Sequence, residues 1–297
     1  MAKNTLPKAK IPPSRVIIDS VSPNLDNGRF PAKRAQGERM DVSAVVLRDG
    51  HDKLKCDLLY RHESEKDFTR VPMTCPLNDT WLASFAADKT GFYYYTVEAA
   101  LDRFASWRDG FLKKIEAGEH SWVDFEAGYT EMGLQAEKLA LDEDRLYVIG
   151  KIEDIKSMSG PLIDGHGGDA DVRRISDTLN DAHLDHLLRS IRDDQSLVRF
   201  ARELPLQVDI KRGNFSAWYE FFPRSKWKGV AENGNLYDAA NRLDYIAELG
   251  FDVVYLPPIH PIGHTFRKGK NNTLHAGDGD PGSPWAIGSH EGGHKSI

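Results

Sequence analysis

The chain first shows a period of two. After a polar tail over residues 1–14 that holds Pro12 and Pro13, the segments RVIIDSVSP, DVSAVVLRD, KLKCDLLYRHE, FTRVPMTCP, TWLASFAAD and GFYYYTVEAAL follow one another. Gly, Asp, Asn or Pro separates them. Val42, Ala44 and Val46 alternate with Ser43 and Val45, and Trp81, Ala83 and Phe85 alternate with Leu82 and Ser84. Short strands at this spacing predict an antiparallel β-sandwich of immunoglobulin-like kind over residues 15–101. Trp81 and Tyr93–Tyr95 read as core and sheet-face packing in preference to a sugar platform.

Near Leu101 the period becomes helical. Phe104, Trp107, Phe111 and Ile115 recur at spacings of three and four, and Gly118 is the expected stop. The stretch MSGPLIDGHGGDAD reads as a break, with GHGGDAD a flexible turn. A second helical run is expected through Leu184, Leu187, Leu188, Ile191, Leu197, Phe200, Ala201 and Leu204. Residues 102–204 thus form a predicted helical insert suited to an interface. PLQVDIKRG, residues 205–213, reads as a strand returning to the sandwich.

After Gly213 a third pattern begins. FSAWYEFFP predicts a buried strand, and Leu236, Ala239, Ala240, Leu243, Ile246, Ala247 and Leu249 mark one helix face closed by Gly250. FDVVYLPPI predicts a second buried strand stopped by Pro257 and Pro258. Strand, helix and strand make a βαβ unit, the start of an α/β sheet or barrel over residues 214–297. A closed eight-fold barrel needs about 250 residues, so 297 residues do not hold one besides the sandwich. Glu220 lies in the first of these strands, where a structural hydrogen-bonding role is expected.

Composition narrows the function. Asp and Glu outnumber Lys and Arg by 45 to 39, a net charge of −6, which argues against nucleic acid or an anionic membrane as the main partner. No apolar run approaches the roughly 18 residues of a membrane span. The basic start MAKNTLPKAKIPPSR lacks the apolar core of a secretory signal, and two cysteines build no disulfide framework, so a cytoplasmic protein is expected.

The chemistry concentrates in residues 260–294, a loop rich in Gly and Pro that follows the second α/β strand. Loops of this length are commonly functional, and in α/β barrels this end of the strand carries the active site. Arg267, Lys268 and Lys270 place three cations within four residues, next to Asn271 and Asn272. Such a cluster suits sugar hydroxyls or a phosphate, or is a solvated charge run. His260 and His264, and likewise His290 and His294, are four apart, but Pro261, Gly263, Gly292 and Gly293 interrupt them, so no metal site is expected. No phosphate loop, dinucleotide fingerprint or nucleophile elbow is present.

AWYEFFPRS (217–225), GFDVVYLPPIHPIG (250–263), RKGKNNTL (267–274) and PWAIGSHEGGH (284–294) together closely resemble the bacterial α-1,4-glucan:maltose-1-phosphate maltosyltransferases, of the α-amylase superfamily and glycoside hydrolase family 13. DRFASWRDGFLKKIEAG (102–118) and RVIIDSVSP (15–23) extend the resemblance to almost the whole chain. The resemblance implies maltosyl transfer from α-maltose 1-phosphate to the non-reducing ends of α-1,4-glucans with release of phosphate. It implies a retaining mechanism without metal or organic cofactor, and a homodimer formed through the helical insert. It also implies a sandwich followed by a (β/α)8 barrel, here truncated after two strands. Lys268 matches a position that binds the maltosyl phosphate donor, with Asn271 and Asn272 as adjacent candidates. The nucleophilic Asp, the Glu acid/base and a second Asp are expected beyond Ile297, so no catalytic residue is assigned and the chain alone is expected to be inactive. Two other readings stay open: an amylase-family α-glucan hydrolase, and a non-catalytic module for glucan binding or dimerisation.

Overall fold

A computed structural model describes residues 15–191, 195–225, 234–280, 282–288, 290 and 293–295. The chain divides into two compact units, residues 1–209 and 210–297. The first unit opens with strands β1 (Val16–Ser22), β2 (Ala32–Ala35), β3 (Arg39–Arg48) and β4 (Lys53–His62). Strands β5 (Thr69–Pro72), β6 (Thr74–Leu77), β7 (Thr80–Ala86) and β8 (Gly91–Asp102) follow. Five helices come next: α1 (Arg103–Ala117), α2 (Trp122–Ala136), α3 (Asp142–Ile163), α4 (Asp169–Leu179) and α5 (Ala182–Ser190). Strands β9 (Val198–Arg199) and β10 (Leu204–Asp209) complete the unit.

The alternation places the strands as expected. One sheet has the order β1-β3-β7-β6; the other runs β2-β10-β8-β4-β5, with β9 on β8. Met40, Val42, Ala44 and Val46 of β3 meet Leu54, Cys56 and Leu58 of β4 and Tyr93, Tyr95 and Val97 of β8 in one shared core. Trp81 is buried in it as well. FTRVPMTCP is two strands, not one. It leaves the second sheet after Pro72 and enters the first at Thr74, turning on buried Met73, whose amide donates to the Cys56 carbonyl at 2.9 Å. The four-residue β2 carries too little pattern to be expected; it pairs parallel to β10. Cys56 and Cys75 are both free, and burial pushes the Cys56 thiol well above its usual range.

The helical insert begins where β8 ends. Asp102 closes β8 and caps α1, its Oδ1 accepting the Ala105 amide at 2.9 Å. Phe104, Phe111 and Ile115 point into a second core, and Gly118 ends the helix at φ 71°. Helix α2 packs closely on α1, because a Cβ on Gly128 would lie 2.0 Å from the Trp107 ring. The expected break at MSGPLI is absent: α3 runs through Pro161 to Ile163, and the chain turns only at 164–168. The expected helix through Leu197–Leu204 is also absent. Val198 and Arg199 instead pair with Ala99 and Glu98 of β8, and Leu204 opens β10.

A buried charge cluster joins β4, β5, β8 and β9. Asp57 and Glu98 lie directly opposite on neighbouring strands, with 5% and 7% of their side chains exposed. Two carboxylates so placed repel unless cations intervene. Arg70 bridges them, at 3.0 Å to Asp57 and 2.7 Å to Glu98, and Arg199 reaches Glu98 at 2.6 Å. Burial raises the Glu98 carboxyl, but the two guanidiniums outweigh it and hold it below its usual value. On the same strand as Asp57, buried Lys55 donates to the Ile191 carbonyl just after α5.

The second unit contains α6 (Lys211–Asn214), β11 (Trp218–Glu220), α7 (Leu236–Ala240), α8 (Leu243–Glu248) and β12 (Val253–Tyr255). Strands β11 and β12 pair in parallel, as a βαβ unit requires, and form a two-stranded sheet. The expected single helix is two short ones broken at Asn241–Arg242. Of its expected face, Ala239 and Ile246 are buried, whereas Leu236, Leu243 and Leu249 are exposed. The strands also differ from expectation, since Trp218 and Tyr255 are exposed. Glu220 ends β11 exposed, and its carboxylate has no hydrogen-bond partner among the described residues. Asp252 fixes the strand entry by accepting the Ala217 amide at 3.0 Å, and Arg212 pairs with it at 3.3 Å. Gly250 caps α8 at φ 86°, as the sequence predicts. Among the described residues no helix is long and apolar enough to cross a membrane.

Replacing Arg70 with Ala leaves two opposed buried carboxylates, and urea unfolding should show a loss of about 2–3 kcal/mol, below the full cost for a buried pair because Arg70 is partly exposed. Because the folded Glu98 carboxyl is depressed, its contribution is present above the unfolded value and is lost as pH falls through the folded one. Wild-type stability should therefore drop on acidification below about pH 4.5, with a shallower slope in Arg70→Ala. Gly128→Ala should cost about 1–3 kcal/mol in the same assay through overpacking against Trp107. A neutral result would mean that α1 and α2 separate without strain.

Candidate functional site

Strand β12 ends at Tyr255, and Pro257 and Pro258 prevent it from continuing. The loop that follows is tied at its base. The Gly263 amide donates to the Ala286 carbonyl at 2.8 Å, Ile262 and Ile287 form an antiparallel bridge, and the Gly288 amide donates to the Pro261 carbonyl at 3.3 Å. The loop is thus a closed excursion from one short ladder.

At the near limb, Lys270–Asn272 form a 3-10 turn in which Asn271 and Asn272 take φ values of 56° and 61°. Asn tolerates this left-handed region better than most residues. The Gly269 amide donates to the Thr273 carbonyl at 2.9 Å, closing the turn. A Cβ on Gly269 would sit 2.2 Å from the His275 carbonyl oxygen, so this position admits only glycine. On the far limb the Gly277 amide donates to Asp280 Oδ2 at 2.8 Å, while the Asp280 amide donates back to the Gly277 carbonyl at 3.2 Å.

The two limbs enclose an open cleft of about 580 Å³. Lys268, Lys270, Asn271 and Asn272 line one side, and Asp280 and Ser283 line the other. The three residues singled out from sequence, Lys268, Asn271 and Asn272, therefore share one cavity. Among the described residues neither lysine ammonium has a hydrogen-bond or ion-pair partner. Asp280 and Ser283 were not expected; the sequence showed them only as part of a long loop rich in Gly and Pro. Two ammoniums and two carboxamides against one carboxylate present mainly donors, a set that suits a phosphate ester with sugar hydroxyls beside it.

Arg267 behaves differently from its neighbours. Its guanidinium hydrogen-bonds the carbonyls of Gly263, Ile262 and Asp280 and lines a second cavity of about 610 Å³, along with Phe222, Leu236, Pro258 and His260. Its charge is engaged by the backbone, so of the three clustered cations Lys268 and Lys270 line the first cleft and Arg267 does not. The histidines separate as well. His260 lines that second cavity, and His264 and His290 stack at 5.7 Å between ring centres. Among the described residues no three His, Cys, Asp or Glu side chains converge as a metal site.

A third cavity of about 620 Å³ lies in the first unit, lined by Arg39, Asp41, Ser43, Thr74 and Ser84 among others. Its one cation, Arg39, is already paired to Asp41 at 2.5 Å, so it offers an anion far less than the Lys268 cleft does.

Comparison with known proteins agrees with the sequence. The profile of the family described as alpha-1,4-glucan:maltose-1-phosphate maltosyltransferase, domain N/S, matches residues 14–210. The alpha-1,4-glucan:maltose-1-phosphate maltosyltransferase of Chlorobaculum tepidum is 44% identical over 283 residues, covering 95% of this chain and 40% of that protein. The protein of the same name in Salinibacter ruber is 40% identical over 294 residues, or 96% of this chain and 41% of its own. Maltosyltransferase 1 of Streptomyces coelicolor is 40% identical over 287 residues, with 95% and 41% covered. The chain spans about two fifths of the length of these curated relatives. With a profile matched from the start of β1 through the helices α1–α5 to the end of β10, and relatives 40–44% identical over nearly the whole chain, the chain belongs to the alpha-1,4-glucan:maltose-1-phosphate maltosyltransferase family.

Proposed function

We propose that this protein serves maltosyl transfer from α-maltose 1-phosphate to the non-reducing end of α-1,4-glucans, with release of phosphate, and that the Lys268 cleft holds the donor. The observation that carries this reading is the convergence of Lys268, Lys270, Asn271, Asn272 and Ser283 on one open cavity. The lysine ammoniums neutralise the ester's negative charge. Asn carboxamides, which both donate and accept, match sugar hydroxyls. The chemical step is retaining and proceeds by double displacement, through an Asp nucleophile and a Glu acid/base that are not assigned to any residue of this chain. The residues named here bind and orient; they do not cleave. No organic or metal cofactor enters the scheme.

The same reading divides the chain into an immunoglobulin-like sandwich (15–101 and 205–213), a helical insert (102–204) and the first two strands of a (β/α)8 catalytic barrel (214–297). The parallel pairing of β11 with β12 supports the last assignment. It places the protein in the cytoplasm, and it pairs two copies through the insert. The exposure of Trp122, Val123 and Leu146 on α2 and α3 supports that pairing. An α-glucan hydrolase and a non-catalytic glucan-binding module are the competing readings.

Calorimetric titration of the chain with maltose 1-phosphate tests the cleft. Lys268→Ala should weaken binding about 10- to 100-fold, as expected for one charge-assisted hydrogen bond to the ester. The affinity should fall with added salt, and maltose without phosphate should bind more weakly than the ester. Equal affinity in wild type and Lys268→Ala would remove the donor assignment. In a polypeptide of the relatives' full length, maltose 1-phosphate and glycogen should yield phosphate together with a longer glucan; free maltose without elongation would favour the hydrolase.

A further inference from the structure

A loop without regular structure leaves its carbonyls unpaired unless some group donates to them. Between Ile262 and Gly282 a large part of that task falls to Arg267. Its Nε donates to the Gly263 carbonyl at 3.0 Å, Nη2 to the Ile262 carbonyl at 2.7 Å and Nη1 to the Asp280 carbonyl at 3.3 Å. Two of these acceptors belong to the start of the loop and the third to its far limb. One planar group thus ties the start of the loop to its far limb.

Gly282 fits the same contact from the other side. It takes φ 73°, and a Cβ there would approach Ile262 Cγ2 at 2.9 Å and Arg267 Cγ at 3.0 Å. The far limb can close on the arginine stem only because this residue has no side chain. Asp280, whose carbonyl Arg267 holds, and Gly282, which rests on its stem, both line the cleft opposite Lys268. The neighbour of Lys268 in sequence therefore sets where the facing wall stands.

We propose that Arg267 is a positioning residue for the maltosyl phosphate donor: without touching the ligand, it fixes Asp280 and Gly282 at the separation from Lys268–Asn272 that the donor requires. This rests on the reading of the Lys268 cleft as the donor site. Holding the walls in place before binding spares the ordering cost that a loose loop would impose when the ligand arrives. A lysine is a poor substitute, because a single ammonium does not reproduce the planar fork that reaches three carbonyls at fixed angles.

The test uses the 297-residue chain as wild type, Arg267→Ala, Arg267→Lys and Lys268→Ala, with amide hydrogen exchange and titration by maltose 1-phosphate, maltose and inorganic phosphate. Arg267→Ala should speed exchange at the Gly263 and Asp280 amides by about tenfold or more and weaken maltose 1-phosphate binding by a similar factor, while the β11–β12 amides exchange as in wild type. Arg267→Lys should restore neither fully. Lys268→Ala should weaken binding yet leave exchange unchanged. The proposal is overturned if Arg267→Ala leaves loop exchange unaltered, if it loosens the loop but binds the ester with wild-type affinity, or if the β11–β12 amides loosen equally. Should wild type and Lys268→Ala bind the ester alike, or neither bind it, the donor assignment falls. The exchange comparison then still decides whether Arg267 holds the loop.

Discussion

The first unit depends on one strand finding its slot. β10 enters between β2 and β8, parallel to one and antiparallel to the other, after the chain has made the long helical excursion of α1 to α5. Leu204, Leu206 and Val208 deliver three side chains to the sandwich core, and that burial offsets the entropy of closing so long a loop, which grows only slowly with length. Both ends of the insert are thereby fastened to one sheet. Asp102 caps α1 at the end of β8, and Lys55 holds the carbonyl of Ile191 after α5. The helices keep a separate core, and the unit is nonetheless compact as a whole.

The Asp57–Glu98 pair shows how the return path is held by charge. β9 is two residues long, too short for its backbone bonds to define a register by themselves. Arg199 pairs opposite Glu98 and ion-pairs with it, while Arg70 brings β5 to the same carboxylates. Opposed buried acids are unfavourable alone, so the two guanidiniums and the strands that carry them have to arrive together. That mutual requirement couples the sheet edge to the segment leading out of the insert.

Much of this was legible in the sequence where burial is one-sided. The alternation in β3 and β7, the stop at Gly118, the returning strand (expected over 205–213, observed over Leu204–Asp209 with a short helix after it) and the parallel βαβ pairing follow from period and punctuation. Other features escaped for physical reasons. Leu197, Phe200 and Leu204 fit a helical spacing as well as they fit the edges of two strands, and only β8 as a partner decides between them. The face from Leu236 to Leu249 is periodic, yet the chain breaks at Asn241–Arg242 and leaves three of its leucines exposed. In the loop, composition marked only a cationic, Asn-containing cluster, and the family resemblance singled out Lys268, Asn271 and Asn272, which do share a cleft. Neither gave a sign that Arg267 would turn to the backbone, because a guanidinium's direction depends on which carbonyls the fold leaves unpaired. Asp280 and Ser283 were invisible for another reason: they join the site only where the chain folds back on itself.

The proposed role of the Lys268 cleft as a sugar-phosphate site can be read from backbone amide shifts of the isotopically labelled chain during titration with maltose 1-phosphate. Donor binding there should give saturable shifts concentrated at Lys268–Asn272 and at Asp280, Gly282 and Ser283, with the sandwich amides unmoved. Shifts centred on the Arg39–Ser84 groove of the first unit, or none at saturating ligand, would contradict it.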